Sequence, residues 1–436
     1  MNFRRRRHRK SLYFVSLTVA VLLAAGILIA KSVWYGQGGR YYFGTLATDP
    51  SKARLEHNSG IYVAHLNLRW DQYEPADGFY DRHYIDSAIN ALRTFRNAGS
   101  LVEVGLGLNH PPSWIFQEHP DAAYVNQYGA RYTATANIVF SEAARREAQA
   151  YILRVHRDIG LEKFWAIRVG VDQSGEFIYP PANADGVHMN SYWAFDVNAQ
   201  GSASNPGRPA TVPANPFPGW RPGQREYQGM AFTVSQVSRW YDWYLAALSD
   251  AVDWQIKYYR SLGYKGYLKV LIPGAGYYPS TYASAIDSHL DGTVSPNLLG
   301  AGAGFFKTIP LLKEHTNVEI VSTALVDGSG NPRNNGCAPT DSKVDILAAS
   351  NKEIYNWSSV RWIANISTRN GFTLLNGESA GPHVAPYYRG AMNDAANQMV
   401  TCGLRGLMWA FDGNLYDETP GSSLHDYAAV IDRYNH

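Results

Sequence analysis

Residues 164–180 read Phe-Trp-Ala-Ile-Arg-Val-Gly-Val-Asp-Gln-Ser-Gly-Glu-Phe-Ile-Tyr-Pro. The run up to Val171 is apolar apart from Arg168, as expected of a strand buried on both faces of a parallel sheet. A turn bearing Gly175 then presents an acid, Glu176. The same pattern returns late in the chain, where Phe-Thr-Leu-Leu-Asn-Gly-Glu-Ser ends in Glu378 and Ser379. Two acids so distant in sequence meet only if a large fold brings their strand ends together.

Similar strand-like runs lie at 41–45, 61–68, 101–108, 267–272, 318–324, 372–375 and 406–410. Between them, helical patterns occupy 81–97, 141–159, 352–369, 389–402 and 422–434. A further one carries Val234, Val237, Trp240, Tyr241, Tyr244, Leu245, Leu248 and Val252 at three- and four-residue steps, which make one amphipathic face. Strands alternating with helices in this number predict a (β/α)8 TIM barrel over residues 36–436. A doubly wound sheet gives the same alternation. Residues 177–233, dense in Pro, Gly and Asn, form a long insertion after strand four. It carries Tyr192, Trp193, Phe195 and Trp220 and is expected to wall or cover a cleft, the alternative being a surface decoration. No internal repeat and no second folded domain is visible.

The composition is that of a folded globular chain: 436 residues, 13% aromatic, 17% charged, with 12 Trp and 30 Tyr. Arg4, Arg5, Arg6, Arg7, Arg9 and Lys10 make a basic tail (1–11) ahead of the uncharged run 12–30. The segment 12–35 is expected to be a single transmembrane helix, close to the ~20 residues a bilayer requires. The basic tail would stay in the cytoplasm and the rest of the chain outside it. Secretion after signal cleavage is the alternative. Without that tail the formal charge of +2 becomes about −4, which argues against nucleic-acid binding. Cys337 and Cys402 can pair in an oxidising exterior or stay free and buried.

In a barrel, functional side chains gather at the C-terminal ends of the strands. Strand two ends in Asn67-Leu68-Arg69-Trp70, followed by Asp71-Gln72-Tyr73-Glu74-Pro75. Strand three ends in Asn109-His110-Pro111-Pro112-Ser113-Trp114. Asp172, Gln173 and Glu176 follow strand four, Asn376 and Glu378 end strand seven, and Trp409, Phe411 and Asp412 end strand eight. Two carboxyls amid amides and aromatic rings suit cleavage of a glycosidic bond: one protonates the leaving oxygen and the other meets the cation-like anomeric carbon.

This set resembles the retaining (β/α)8 glycoside hydrolases of clan A, above all the family 42 β-galactosidase type, in which a Trp-x-x-x-Glu-Pro-x-x-Gly-x-Tyr stretch follows strand two as Trp70–Tyr80 does here. The resemblance implies Glu176 as acid/base, Glu378 as nucleophile and Trp409 as the floor of the cleavage subsite. Arg69, Trp70, Asn109, His110, Trp114, Gln173 and Asn376 join Trp409 as expected substrate-binding residues, with Arg69 the cation that keeps Glu378 ionised. Clan A enzymes usually carry Asn before the acid/base, where this chain has Gly175; Gln173 or Asn376 is expected to supply the amide instead. The string Gly-Glu-Phe-Ile-Tyr-Pro is also similar to the inverting β-amylases, which leaves the stereochemical outcome open.

Neither a metal site nor a cofactor is expected, since no metal-ligand spacing or phosphate-binding loop is present. The expected partners are a carbohydrate and, through the N-terminal helix, a membrane; the sugar and the oligomeric state stay open. Two rival readings remain. Gly377-Glu378-Ser379-Ala380-Gly381 fits an esterase nucleophile elbow, although Pro382 and Pro386 discourage the helix that must follow. A non-catalytic sugar-binding barrel would use Trp70, Trp114, Trp193 and Trp409 as platforms.

Overall fold

The computed structural model describes residues 40–294, 296–330, 336–380 and 388–435. Eight parallel strands close into a barrel in which sequence neighbours are spatial neighbours. They are β1 (Tyr42–Thr45), β2 (Val63–Asn67), β3 (Leu101–Gly105), β4 (Ala166–Val169), β5 (Tyr267–Ile272), β6 (Val318–Ser322), β7 (Leu375–Ala380) and β8 (Gly406–Ala410), with β1 paired to β8. The surrounding helices include α1 (Ala53–Asn58), α2 (Arg82–Ala98), α3 (Glu142–Asp158), α4 (Val234–Ser261), α5 (Phe305–Thr308), α6 (Ser359–Arg369), α7 (Ala391–Thr401) and α8 (Leu424–Asn435). The fold is therefore the (β/α)8 barrel, and the doubly wound alternative falls. The expected membrane segment 12–30 lies outside the described residues, among which no helix is long and apolar enough to cross a membrane.

Local sequence explains the helix limits. The Asp81 side chain accepts from the Tyr84 amide to start α2, and Gly99 ends it in the left-handed region at φ 98°. Thr233 and Gln236 form a reciprocal capping box at the start of α4. The main apolar core lies between the outer faces of the strands and the helices, while Leu46, Val63, Met408 and Ala410 form a small cluster of their own.

The barrel interior departs from the usual filling of branched aliphatic side chains. His65 pairs in register with Glu103, Arg168 with Lys269, and Lys269 with Glu319. Two cations side by side repel unless an anion lies between them. Glu103 takes that place: Arg168 Nη1 donates to it at 2.9 Å, and the Lys269 ammonium bonds its other oxygen. Burial alone would raise this carboxyl, yet Lys269 and Arg168 hold it at about 2. Beyond it, Glu319 meets Lys269 at 3.6 Å and Arg405 at 3.1 Å. Ionic groups of alternating sign thus run from deep in the barrel to its mouth.

The insertion after β4 is folded. Trp193 and Trp220 are fully buried, and Trp220 packs edge-on against Trp240 of α4 at 5.3 Å. Their indole N–H groups donate to the carbonyls of Pro181 and Gln224. These rings are core of the insertion rather than platforms. Cys337 and Cys402 are joined in a disulfide that ties the segment after β6 to the end of α7.

Candidate active site

A cavity of about 690 Å³ opens at the C-terminal end of the barrel, and Glu176, Glu378, Arg168 and Thr323 all line it. Glu176 is held by a tight loop. Val171 donates its amide to the Glu176 carbonyl at 2.8 Å, and the Glu176 amide donates to Asp172 Oδ1 at 2.8 Å. The Phe177 amide then anchors the loop to the Leu271 carbonyl on β5. Gly170 makes the reversal possible, because a Cβ there would meet the Gly175 carbonyl oxygen at 1.7 Å. Both glycines of the Gly-Val-Asp-Gln-Ser-Gly string are used: Gly175 adopts φ 78°, where a side chain is strained.

Glu378 leaves β7 on the same inward face as Asn376, two residues earlier. Its backbone carbonyl accepts from the Leu325 amide, and its carboxylate is buried. Arg168 grips that carboxylate from both terminal nitrogens, Nη1 to Oε1 at 2.5 Å and Nη2 to Oε2 at 3.1 Å. This bidentate charge-assisted pair fixes both carboxylate oxygens in place. Glu176 receives the Thr323 hydroxyl on Oε1 at 2.5 Å. Burial, first, and then the Glu378 charge raise the Glu176 carboxyl above its ordinary range, against the Thr323 bond and the Arg168 charge. One carboxyl is thereby biased towards its acid form, while the other is paired with a cation.

The remaining expected residues divide. Asn109 lines the cavity, and its amide donates to the Gln173 carbonyl at 2.8 Å. Arg69 does not reach Glu378; its Nε and Nη2 donate to Asp71, at 3.0 and 2.6 Å, and the cation bound to Glu378 is Arg168 instead. His110 is half-buried outside the cavity lining, and its carbonyl accepts from Asp71. Gln173 accepts from the Tyr132 hydroxyl. Asn376 is buried below the site, donating to Glu319 at 3.2 Å, and neither it nor the exposed Gln173 lines the cavity, where the amide expected to compensate for Gly175 would have to act. Trp70 and Trp114 are buried and both donate to Glu74, to the carboxylate and the carbonyl respectively, which makes the Trp70–Tyr80 stretch an internal brace. Trp409 is 0% exposed, packs on Tyr427 and donates to Ser422. Phe411, 49% exposed and preceded by a cis peptide, is the strand-eight ring that lines the cavity.

The sugar-binding scaffold thus loses its platforms, since Trp70, Trp114, Trp193 and Trp409 are all buried. The esterase elbow also fails, since Ser379 is fully buried inside β7. None of residues 177–233 lines the cavity, so the expected wall is built elsewhere, by the segments following β3, β4, β5 and β6. Arg168, Thr323 and His65 were missed in the sequence, and Asn67 was placed at the end of strand two without a role. Arg168 alone carried a signal, as the one charge in an otherwise apolar strand.

Comparison with known proteins speaks to one part of the sequence and to the fold. The sequence profile of glycoside hydrolase family 42, described as β-galactosidase, matches residues 47–156. The β-galactosidase BgaA of Clostridium cellulovorans is 35% identical over 82 residues, and BbgII of Bifidobacterium bifidum is 30% identical over 77. These matches take in 18% and 17% of this chain and only 12% and 11% of those proteins. Among solved structures, the catalytic domain of β-amylase from Paenibacillus polymyxa aligns over 91% of this chain and 98% of its own, with TM-score 0.58 and 14% identity. The β-galactosidase of the psychrophilic Marinomonas ef1 aligns over 90% and 59%, with TM-score 0.53 and 14% identity. At such identities the structural likeness speaks for the barrel alone. The chain resembles the clan A glycoside hydrolases, and in residues 47–156 it carries the sequence pattern of the family 42 β-galactosidases.

Proposed function

We propose that this protein is a glycoside hydrolase that cleaves an O-glycosidic bond by double displacement, with Glu378 as nucleophile and Glu176 as acid/base. The observation that carries this reading is the pair of carboxyls facing one cavity from β4 and β7, one raised by burial and the other gripped by Arg168. In the first step a Glu378 oxygen attacks the anomeric carbon, the glycosidic C–O bond breaks, and Glu176 gives its proton to the departing oxygen. In the second, Glu176 takes a proton from water as that water attacks the same carbon and releases Glu378. Retaining enzymes hold the two carboxyls ~5–5.5 Å apart, which leaves no room for a water between nucleophile and sugar.

The named relatives make an aryl β-galactoside the first substrate to try, and a β-galactoside in an oligo- or polysaccharide the proposed natural target. An inverting, β-amylase-like reaction is the second reading, supported by the Gly-Glu-Phe-Ile-Tyr-Pro string that carries Glu176. The proposed location is outside the cytoplasm, held by the segment 12–30; the Cys337–Cys402 disulfide supports an oxidising compartment.

The test is a panel of aryl glycosides offered to the wild type, Glu176→Gln and Glu378→Gln. Both variants should lose ~10²–10⁴-fold or more in kcat. Glu176→Gln should lose least on a dinitrophenyl glycoside, whose leaving group needs no proton. Full activity in either variant would end the reading.

A further inference from the structure

His65 is a buried side chain with every polar atom assigned except one. On β2 its backbone amide donates to Thr48 Oγ1 at 2.8 Å, and its carbonyl accepts from the Thr48 amide. The ring nitrogen Nδ1 accepts from the Ala47 amide at 3.1 Å. Because a backbone N–H can only donate, Nδ1 is the bare nitrogen and the proton resides on Nε2. Among the described residues that Nε2–H has no partner, although the residue is only 9% exposed and lines the cavity of Glu176 and Glu378.

The chain spends strain on this arrangement. Ala47 adopts φ 54°, a left-handed conformation strained for a residue with a Cβ, and so aims its amide at the ring. Burial, together with the Arg168 charge, pushes the His65 imidazole down to about 3. It therefore stays a neutral donor across the working pH range. An unsatisfied buried donor is destabilising and calls for an acceptor.

Asn67, two residues on and on the same face, is exposed and lines the same cavity. Gly105 of β3 keeps the wall between them open: a Cβ there would lie 2.8 Å from Asn67 Oδ1 and 3.4 Å from His65 Nε2. A donor and an amide thus flank a gap of the kind a hydroxyl fills.

We propose that His65 and Asn67 form the wall that recognises a hydroxyl group of the sugar ring whose bond Glu176 and Glu378 cleave, His65 donating from Nε2 to the hydroxyl oxygen and the Asn67 carbonyl accepting its proton. The proposal rests on the glycosidase reading. It explains how a cavity with few aromatic rings in its lining orients a sugar: by a fixed polar wall rather than by a stacking platform.

The experiment uses the aryl glycoside that the wild type cleaves fastest, together with its monodeoxy analogues, each lacking one ring hydroxyl. With the parent sugar, His65→Phe should lower kcat/KM about ten- to a hundredfold, the loss of one buried hydrogen bond. On one monodeoxy analogue, and only one, His65→Phe and wild type should differ by less than about twofold. His65→Gln, which keeps a donor on a side chain of similar reach, should recover part of the loss. An equal loss on every analogue would make the ring merely structural, and no loss on the parent would make it irrelevant; either overturns the proposal while leaving the glycosidase standing. Absence of hydrolysis by the wild type on the whole panel would instead remove the reading beneath it.

Discussion

Arg168 and Glu378 are joined through two parallel hydrogen bonds, Nη1–Oε1 at 2.5 Å and Nη2–Oε2 at 3.1 Å, across the barrel from β4 to β7. The same guanidinium also reaches Glu103 at 2.9 Å. It is the joint between the ionic interior and the proposed nucleophile. Replacing it tests both. Arg168→Met leaves two buried carboxylates sharing too little positive charge and should cost ~3–5 kcal/mol of stability in urea unfolding. Arg168→Lys keeps the charge but not the planar fork; it should fold, yet lose roughly ten- to a hundredfold in kcat/KM.

Thr323 offers a cleaner handle on the acid. Its hydroxyl donates to Glu176 and so stabilises the carboxylate form, opposing the rise due to burial. Thr323→Val removes that donor, and the Glu176 carboxyl then gives up its proton at higher pH. The alkaline limb of kcat/KM against pH should move upward. A limb that stays in place or moves down would contradict the assignment of the acid.

A second carboxyl pair sits behind strand eight. Glu56 and Asp412 are both buried, with Tyr416 donating to Glu56 at 2.8 Å and the Asp49 amide to Asp412 at 3.1 Å. Burial and then the Asp412 carboxyl raise Glu56, so the folded chain keeps a proton that the unfolded chain releases above the ordinary carboxylate range. Stability on this account falls as pH rises from that range towards the raised value. Glu56→Gln, a neutral isostere, should flatten the decline, and Tm measured from pH 5 to 9 checks it.

Glu103 shows the opposite sign. Held at about 2 in the fold, it contributes stability that is complete above its unfolded value and is lost as pH falls from there towards 2. Lys269→Met, by removing its main counter-charge, should weaken that acid dependence and lower overall stability by ~3–5 kcal/mol.

The disulfide spans 65 residues between Cys337 and Cys402. Its removal in Cys337→Ser, Cys402→Ser should cost ~2–4 kcal/mol in chemical denaturation. Hydrolysis below the melting point should persist, because neither cysteine lines the cavity.

Much of the barrel was legible in the sequence, because parallel strands covered on both faces are near-continuous apolar runs and the helices between them keep a regular stripe. The expected 267–272 and 406–410 coincide with β5 and β8, whereas 372–375 stops where β7 begins. The miss has a physical cause: Asn376, Gly377 and Glu378 read as a polar turn, yet the ionic interior accommodates them within the strand. The pair of Glu176 and Glu378 was legible as strand-end acids. Trp409 was misjudged because side chains alternate faces, and a displacement of one residue sends a ring into the helical layer instead of the cleft. Arg69 was preferred over Arg168 since a cation at a strand end looks available, while one inside an apolar run looks structural. His65 gave no signal at all, since its meaning depends on the Ala47 amide and the gap at Gly105, both set by tertiary contact.

The most direct test is covalent trapping. The wild type is incubated with an activated 2-deoxy-2-fluoro glycoside of the sugar it cleaves fastest, and its peptides are analysed by mass spectrometry. A glycosyl adduct on Glu378, with time-dependent loss of activity, is the result expected of a double displacement. Turnover of the parent glycoside with Glu378 unlabelled, or an adduct on another residue, would contradict the assignment of Glu378 as nucleophile.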